Sequence, residues 1–186
     1  MLSEDPAQRH REVAGAFGDR VRGTREWNAP APVEGWTARD VVRHLTEWFP
    51  SFLAASSEAR LPAGPTPDED PVGAWQVQAD GVQALLDDPV AAAMPLRNPH
   101  IGELPLATAI DRFYTADVFM HTWDLARATG QDERLDPDFC ADLLAGMEQM
   151  EDVLRGSGQY GPAIPVPADA DVQVKLLGFI GRRPLS

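Results

Sequence analysis

Hydrophobic side chains recur every three or four positions in several stretches of the chain, and proline- and glycine-rich segments separate these stretches. Such spacing is typical of amphipathic helices, because about 3.6 residues per turn place these positions on one face. The first stretch shows the pattern clearly at Val13, Phe17 and Val21. The pattern predicts helices over about residues 3–25, from 37 to beyond 52, and over about 72–86, 106–129, 137–155 and 170–180.

Several residues at the predicted helix ends are typical of helix boundaries. Thr37 and Asp40 resemble a capping box, in which each side chain accepts a backbone N–H of the other residue. Gly130 follows the helix predicted over 106–129, and glycine is the usual residue just past a helix end. The segment 94–105 is interrupted by proline and glycine, so it predicts an extended excursion or a short hairpin.

Four long helical segments, followed by shorter ones, predict an all-α fold. The arrangement favours a four-helix bundle with an additional short C-terminal helix and the extended excursion near 94–105. A length of 186 residues is typical of one domain, so residues 1–186 are expected to form a single metal-binding bundle domain. Apolar runs are too short to span a membrane, and the polar, acidic start is unlike a signal peptide.

The charge of the chain limits its partners. Sixteen lysines and arginines stand against 29 aspartates and glutamates, which gives a net charge of −13. Nucleic acids and anionic membranes bind basic surfaces, so neither is an expected partner. Cys140 is the only cysteine, which excludes an internal disulfide and favours a reducing, cytoplasmic location. Its apolar neighbours predict a partly buried helical thiol rather than a catalytic one.

Three side chains of types that bind metals lie on helix faces that the hydrophobic periodicity predicts to be buried. Asp117 and His121 lie four residues apart on the fourth predicted helix, and His44 lies on the apolar side of the second. A buried carboxylate and buried imidazoles are costly unless they are paired, and a divalent ion satisfies both residue types at once. Two histidines and one carboxylate leave ligand positions open, as in catalytic rather than structural sites.

The same residues can also be explained without a metal site. An Asp–His pair four residues apart is commonly a hydrogen-bonded pair, and His44 alone would be a satisfied core histidine. Asp124 either orients a metal-binding histidine without binding the metal itself, or forms a surface ion pair with Arg127. His10 has charged neighbours on both sides and is expected at the surface.

Two segments resemble a known family. GWTARDVVRHLTEW (35–48) and ADVFMHTWDLARATG (116–130) are similar to the two signatures of the DinB-like branch that contains mycothiol-dependent maleylpyruvate isomerase. YGPAIPVPADA (160–170) and LLGFIGRRP (176–184) are similar to the ends of short, single-domain actinobacterial members. The resemblance implies a DinB-like four-helix bundle. It also implies a metal triad that corresponds to His44, Asp117 and His121.

The chain departs from the isomerase in two ways that affect the expected activity. The acid of the isomerase triad is usually glutamate, where this chain has the shorter Asp117, and the isomerase has a further C-terminal domain that 186 residues do not accommodate. The expected function is therefore that of a divalent-metal-dependent transferase or isomerase, which uses a mycothiol-type thiol to act on a small electrophilic molecule.

Other functions and the identity of the metal stay open at this point. A metal-dependent hydrolase of the same fold and a non-catalytic protein that binds metal or a small ligand are the alternatives. Zinc, nickel and iron all accept this ligand set. The sequence is compatible with a monomer or a homodimer, and it does not identify the small-molecule substrate.

Overall fold

The long helices begin at the capping residues that the sequence contains. A computed structural model of the protein describes residues 1–156 and 161–185. Thr37 and Asp40 form the predicted capping box, and Asp70 caps the next helix by accepting the backbone N–H of Gly73. The first three helices are α1 (Pro6–Gly23), α2 (Ala38–Ser56) and α3 (Pro71–Asp87).

The middle of the chain contains the predicted hairpin. A single short helical turn, α4 (Pro89–Ala92), leads into two antiparallel strands, β1 (Pro95–Asn98) and β2 (Gly102–Pro105), with Leu96 opposite Leu104. The extended excursion predicted near 94–105 is thus confirmed as a hairpin.

The helix predicted over 106–129 contains a π-helix that periodicity alone does not reveal. The chain forms α5 (Leu106–Ala109), a π-helix (Ile110–Thr115) and α6 (Ala116–Thr129) without interruption. A π-helix inserts about one extra residue per turn, so it shifts the register of the side chains that follow. The predicted end is confirmed, because Gly130 adopts the left-handed conformation with φ of 66°.

The four long helices lie in the first of two compact units, Ser3–Glu133. In this unit α1 packs against α3 and α6, and α2 packs against the same two helices. The large side chains that are fully buried here include Phe17, Phe49, Tyr114 and Trp123. The arrangement confirms the predicted all-α fold with a four-helix bundle.

The second unit comprises Met1–Leu2 and Arg134–Ser186. It contains α7 (Pro137–Glu148), α8 (Glu151–Gly156) and α9 (Val172–Phe179), with α7 packed against α9. The helix predicted over 137–155 is therefore divided by a turn. Cys140 is fully buried, beyond the partial burial expected for it, and burial raises the pKa of its thiol to about 12. Tyr160 and its neighbours at 157–159 lie outside the described residues, and one domain over 1–186 stays a prediction.

No helix in the described part of the chain combines the length and the apolar character needed to cross a bilayer.

His10 lies in the bundle core, so the prediction of a surface position is wrong. Its side chain has no exposed surface, and its Nδ1 lies 2.9 Å from the Thr115 hydroxyl oxygen. The error arose from its charged sequence neighbours, whereas His10 shares the buried face of α1 with Val13 and Phe17, three and seven residues on. Within residues 1–156 and 161–185, its Nε2 has no hydrogen-bond partner. Burial, assisted by the charge of Arg11, lowers the pKa of His10 to about 4.

The buried imidazole makes the stability of the fold sensitive to acid. Between about pH 6.5 and pH 4 the unfolded chain binds a proton at His10 that the folded chain does not bind. The contribution is therefore complete above pH 6.5 and is lost as the pH falls to 4, by about 3 kcal/mol at most. Urea unfolding at a series of pH values is expected to show this loss in the wild type and a flatter profile in His10→Gln.

His100→Gln is the matched control, because His100 is an exposed histidine in the hairpin turn. This variant is expected to keep the wild-type dependence on pH. Identical pH profiles for the wild type and His10→Gln would contradict the assignment of the acid sensitivity to His10.

Candidate metal centre

The packing of α2 against α6 brings the three predicted ligands together. His44 lies two turns into α2, on the face that packs against α6. Asp117 and His121 lie one turn apart near the start of α6, directly after the π-helix. The capping box at Thr37 defines where α2 begins, and the π-helix defines the register in which α6 presents its side chains.

The ligand atoms of the triad point toward a common space. His44 Nε2 lies 2.9 Å from Asp117 Oδ2, and His121 Nε2 lies 3.5 Å from Asp117 Oδ1. One ligand atom from each of the three residues lies within 4.8 Å of the other two. Among the described residues, no other group of three histidine, cysteine or acidic side chains has this arrangement. The sequence prediction therefore named the residues that the fold brings together.

Asp117 is held as a carboxylate by its neighbours. Burial alone would raise the pKa of Asp117, but the charges of His121 and His44 and hydrogen bonds from His44 and Trp48 hold it below its ordinary value. The indole N–H of Trp48 donates to Asp117 Oδ2 at 2.9 Å. The side chain is thus ionised at neutral pH, as a metal ligand must be.

Asp124 lies behind His121 on the side away from Asp117. Its Oδ2 is 2.8 Å from His121 Nδ1, and its side chain has no exposed surface. Asp124 therefore does not form the surface ion pair considered for it with Arg127. A carboxylate only accepts, so His121 carries a proton on Nδ1 and, when neutral, presents the Nε2 lone pair to Asp117.

Two tryptophans border the triad. The Trp36 ring lies 5.7 Å from the His121 ring at an interplanar angle of 17°, and 5.1 Å from the His44 ring. Gly35, with φ of 77°, forms the turn that directs the chain into this position. The side chain of His44 is 30% exposed, that of Asp117 19% and that of His121 7%. The site is therefore most open beside His44.

The donor set fits a divalent ion. When His121 is neutral, its Nε2 lone pair and the ionised Asp117 oxygen repel each other at 3.5 Å, and a cation between them would remove that repulsion. Two imidazole nitrogens with one carboxylate oxygen form a ligand set of the kind that zinc, iron and nickel accept. The hydrogen bond from Trp48 occupies only Asp117 Oδ2, so Oδ1 stays available.

Comparison with known proteins assigns the chain to a family. Residues 10–126 match the model of the mycothiol maleylpyruvate isomerase N-terminal domain. The chain belongs to this family. The matched residues include α2 and α3, most of α1 and α6, and all three residues of the triad. The family is DinB-like, as the sequence signatures indicated.

Similar proteins occur in mycobacteria. Two uncharacterized proteins of Mycobacterium tuberculosis, from strains CDC 1551 / Oshkosh and ATCC 25618 / H37Rv, are each 29% identical to this chain over 189 residues. Each alignment covers 96% of this chain and 98% of the relative. No solved structure matches the chain.

The sequence did not reveal the contacts of the two tryptophans. Trp36 packs on the rings of His44 and His121, and Trp48 donates a hydrogen bond to Asp117. The position of Trp48, four residues after His44, was the available signal, since this spacing places both side chains on one face. His10, by contrast, contacts Thr115, and His100 lies in the exposed hairpin turn.

The contact between Asp124 and His121 leads to a prediction on metal binding in this family member. Asp124→Asn is expected to weaken the affinity for Zn²⁺ by about ten- to a hundredfold. The amide can donate to Nδ1, which favours the tautomer whose lone pair points away from Asp117. Isothermal titration of the metal-free protein with Zn²⁺ measures the change.

Asp111→Asn is the matched control. Asp111 lies in the π-helix and pairs with Arg9, and it has no contact with the triad. This variant is expected to keep the wild-type affinity. Equal affinities in the wild type and Asp124→Asn would show that His121 is oriented without Asp124.

Proposed function

We propose that the protein is a metal-dependent enzyme that uses a mycothiol-type thiol to modify a small electrophilic molecule, by transfer or by isomerisation. The observation that carries the proposal is the convergence of His44, Asp117 and His121 in a partly open site. Membership of the mycothiol maleylpyruvate isomerase N-terminal domain family supports the choice of thiol. Since the triad leaves ligand positions open, the site suits catalysis better than a purely structural role.

Each residue of the site has a defined task in this proposal. His44 and His121 would hold the ion through Nε2, and Asp117 would hold it through a carboxylate oxygen. Asp124 keeps the Nδ1 proton of His121, so that Nε2 faces the site. Trp36 covers the rings of both histidines and limits the access of water from its side.

Activation of the thiol would depend on the ion held by the triad. A divalent ion bound here would act as a Lewis acid that lowers the pKa of the co-substrate thiol, so that it reacts as a thiolate. The sulfur lone pair would then form a C–S bond with the electrophilic carbon, and the thiol proton would go to solvent. In a transfer reaction a leaving group departs with its electron pair. In an isomerisation the thiolate would add to a conjugated double bond, whose π pair moves onto the adjacent electron-withdrawing group. After rotation that pair would re-form the double bond as the C–S bond breaks and the thiolate is released.

The proposed function predicts that the purified protein contains a metal ion. Protein purified without a nickel column is expected to contain roughly one divalent ion per chain, and His121→Ala to contain almost none. Elemental mass spectrometry measures the metal content of both. His100→Ala serves as the control, because it removes an exposed histidine outside the triad and is expected to retain the ion.

The absence of metal from both proteins, even after incubation with Zn²⁺, Ni²⁺ and Fe²⁺, would contradict the proposal. The triad would then be a buried hydrogen-bonded network, and the enzymatic function would lose its basis.

The second prediction concerns the thiol. The metal-loaded protein is expected to consume small electrophiles only when mycothiol is present, and His44→Ala is expected to reduce the rate to that of the reaction without protein. Chromatography coupled to mass spectrometry identifies the thiol adduct or the isomer. Turnover without any thiol would instead indicate a hydrolase. Ligand binding without turnover would indicate a non-catalytic binding protein.

A further inference from the structure

Trp48 contacts the carboxylate of the triad but cannot itself bind a metal. Its Nε1 lies 2.9 Å from Asp117 Oδ2, and it follows His44 by one turn on the same face of α2. Indole N–H is a donor only, because the nitrogen lone pair is part of the aromatic system, and its charge does not change near neutral pH. A cation bound by the triad would therefore leave the hydrogen bond from Trp48 to Asp117 in place.

The two oxygens of Asp117 have different neighbours. Oδ2 faces both Trp48 Nε1 and His44 Nε2 at 2.9 Å, whereas Oδ1 faces His121 Nε2 at the longer distance of 3.5 Å. A cation between the three residues would replace the proton that His44 shares with Oδ2, but it would not replace the N–H of Trp48. Oδ2 would keep this hydrogen bond, and Oδ1 is the oxygen with space for a metal.

We propose that Trp48 is a positioning residue, which holds Asp117 by Oδ2 so that the carboxylate binds a metal through Oδ1 alone. This inference rests on the proposed function, because it assumes that the triad binds a metal. A carboxylate that uses one oxygen occupies one ligand position instead of two. The position that stays open is then available to the thiol co-substrate.

Packing is the other role that Trp48 has in the structure. Its ring lies 5.5 Å from that of Phe49 and 5.9 Å from those of Phe52 and Tyr114. If packing were its only role, replacing the indole by a phenyl ring would change stability and leave metal coordination as it is. Phenylalanine retains an aromatic ring but removes the N–H, so the substitution separates the two roles.

The test compares Trp48→Phe with Trp75→Phe, both titrated with Co²⁺. Trp75 is a buried tryptophan that packs on Phe17 and lies outside the triad, so it controls for the loss of an indole in the bundle. Trp48→Phe is expected to bind Co²⁺ about tenfold more weakly or worse. Its visible absorption is expected to weaken, because a carboxylate that uses both oxygens raises the coordination number of Co²⁺. Trp75→Phe is expected to keep the wild-type affinity and spectrum.

A measurement on the wild type keeps the inference testable if Trp48→Phe does not fold. In ¹⁵N-labelled protein, the Trp48 indole N–H resonance is expected to stay at a hydrogen-bonded shift and to remain protected from exchange when Zn²⁺ is added. An indole proton that moves to the shift of a free indole on metal binding would overturn the inference.

The outcomes separate this inference from the proposed function. If the wild type binds neither Co²⁺ nor Zn²⁺, the metal-dependent function fails and the role of Trp48 fails with it. If the wild type binds metal, and Trp48→Phe has the same affinity and spectrum, only the role of Trp48 is wrong. A weaker affinity together with a changed spectrum, confined to Trp48→Phe, supports it.

Discussion

The ionised carboxylate of Asp117, placed between two helices of the bundle, is the interaction on which the site depends. A carboxylate that is largely removed from water costs several kcal/mol unless it is paired and hydrogen-bonded. His44, His121 and Trp48 surround it and hold its pKa below the ordinary value despite burial. Two of these three neighbours are on α2, so the charge also determines which residues of α2 must face α6.

A second buried polar contact stabilises the π-helix and α2 next to Asp117. Tyr114, three residues before Asp117, donates its hydroxyl to the backbone carbonyl of Leu45 at 3.0 Å and accepts from Gln78 Nε2 at 3.1 Å. Leu45 directly follows His44, so this contact joins the π-helix to α2 beside the triad. The bundle therefore presents its ligands from rigid, packed helices, which is the arrangement that preorganises a site.

The sequence predicted those features that depend on local patterns. The capping box at Thr37, the helix end at Gly130 and the inward faces of the helices follow from residue type and spacing, and together they predict the triad. Features that depend on tertiary contacts were not predicted. The π-helix preserves an approximately helical period, and the buried position of His10 was obscured by its charged neighbours. The hydrogen bond of Trp48 depends on the orientation of its indole ring, which spacing does not determine.

The charges of the site are suited to an exchange of protons for a divalent ion. His44 and His121 are neutral when they present lone pairs to a metal, and they carry positive charge when they lower the pKa of Asp117. A divalent ion would therefore replace two imidazolium protons by the same two positive charges. The charge balance around Asp117 would stay the same, which matters where His121 is buried, since an uncompensated charge interacts unfavourably with a low-dielectric interior. Because exposure increases from His121 toward His44, a co-substrate of the proposed reaction would approach the site from the side of His44.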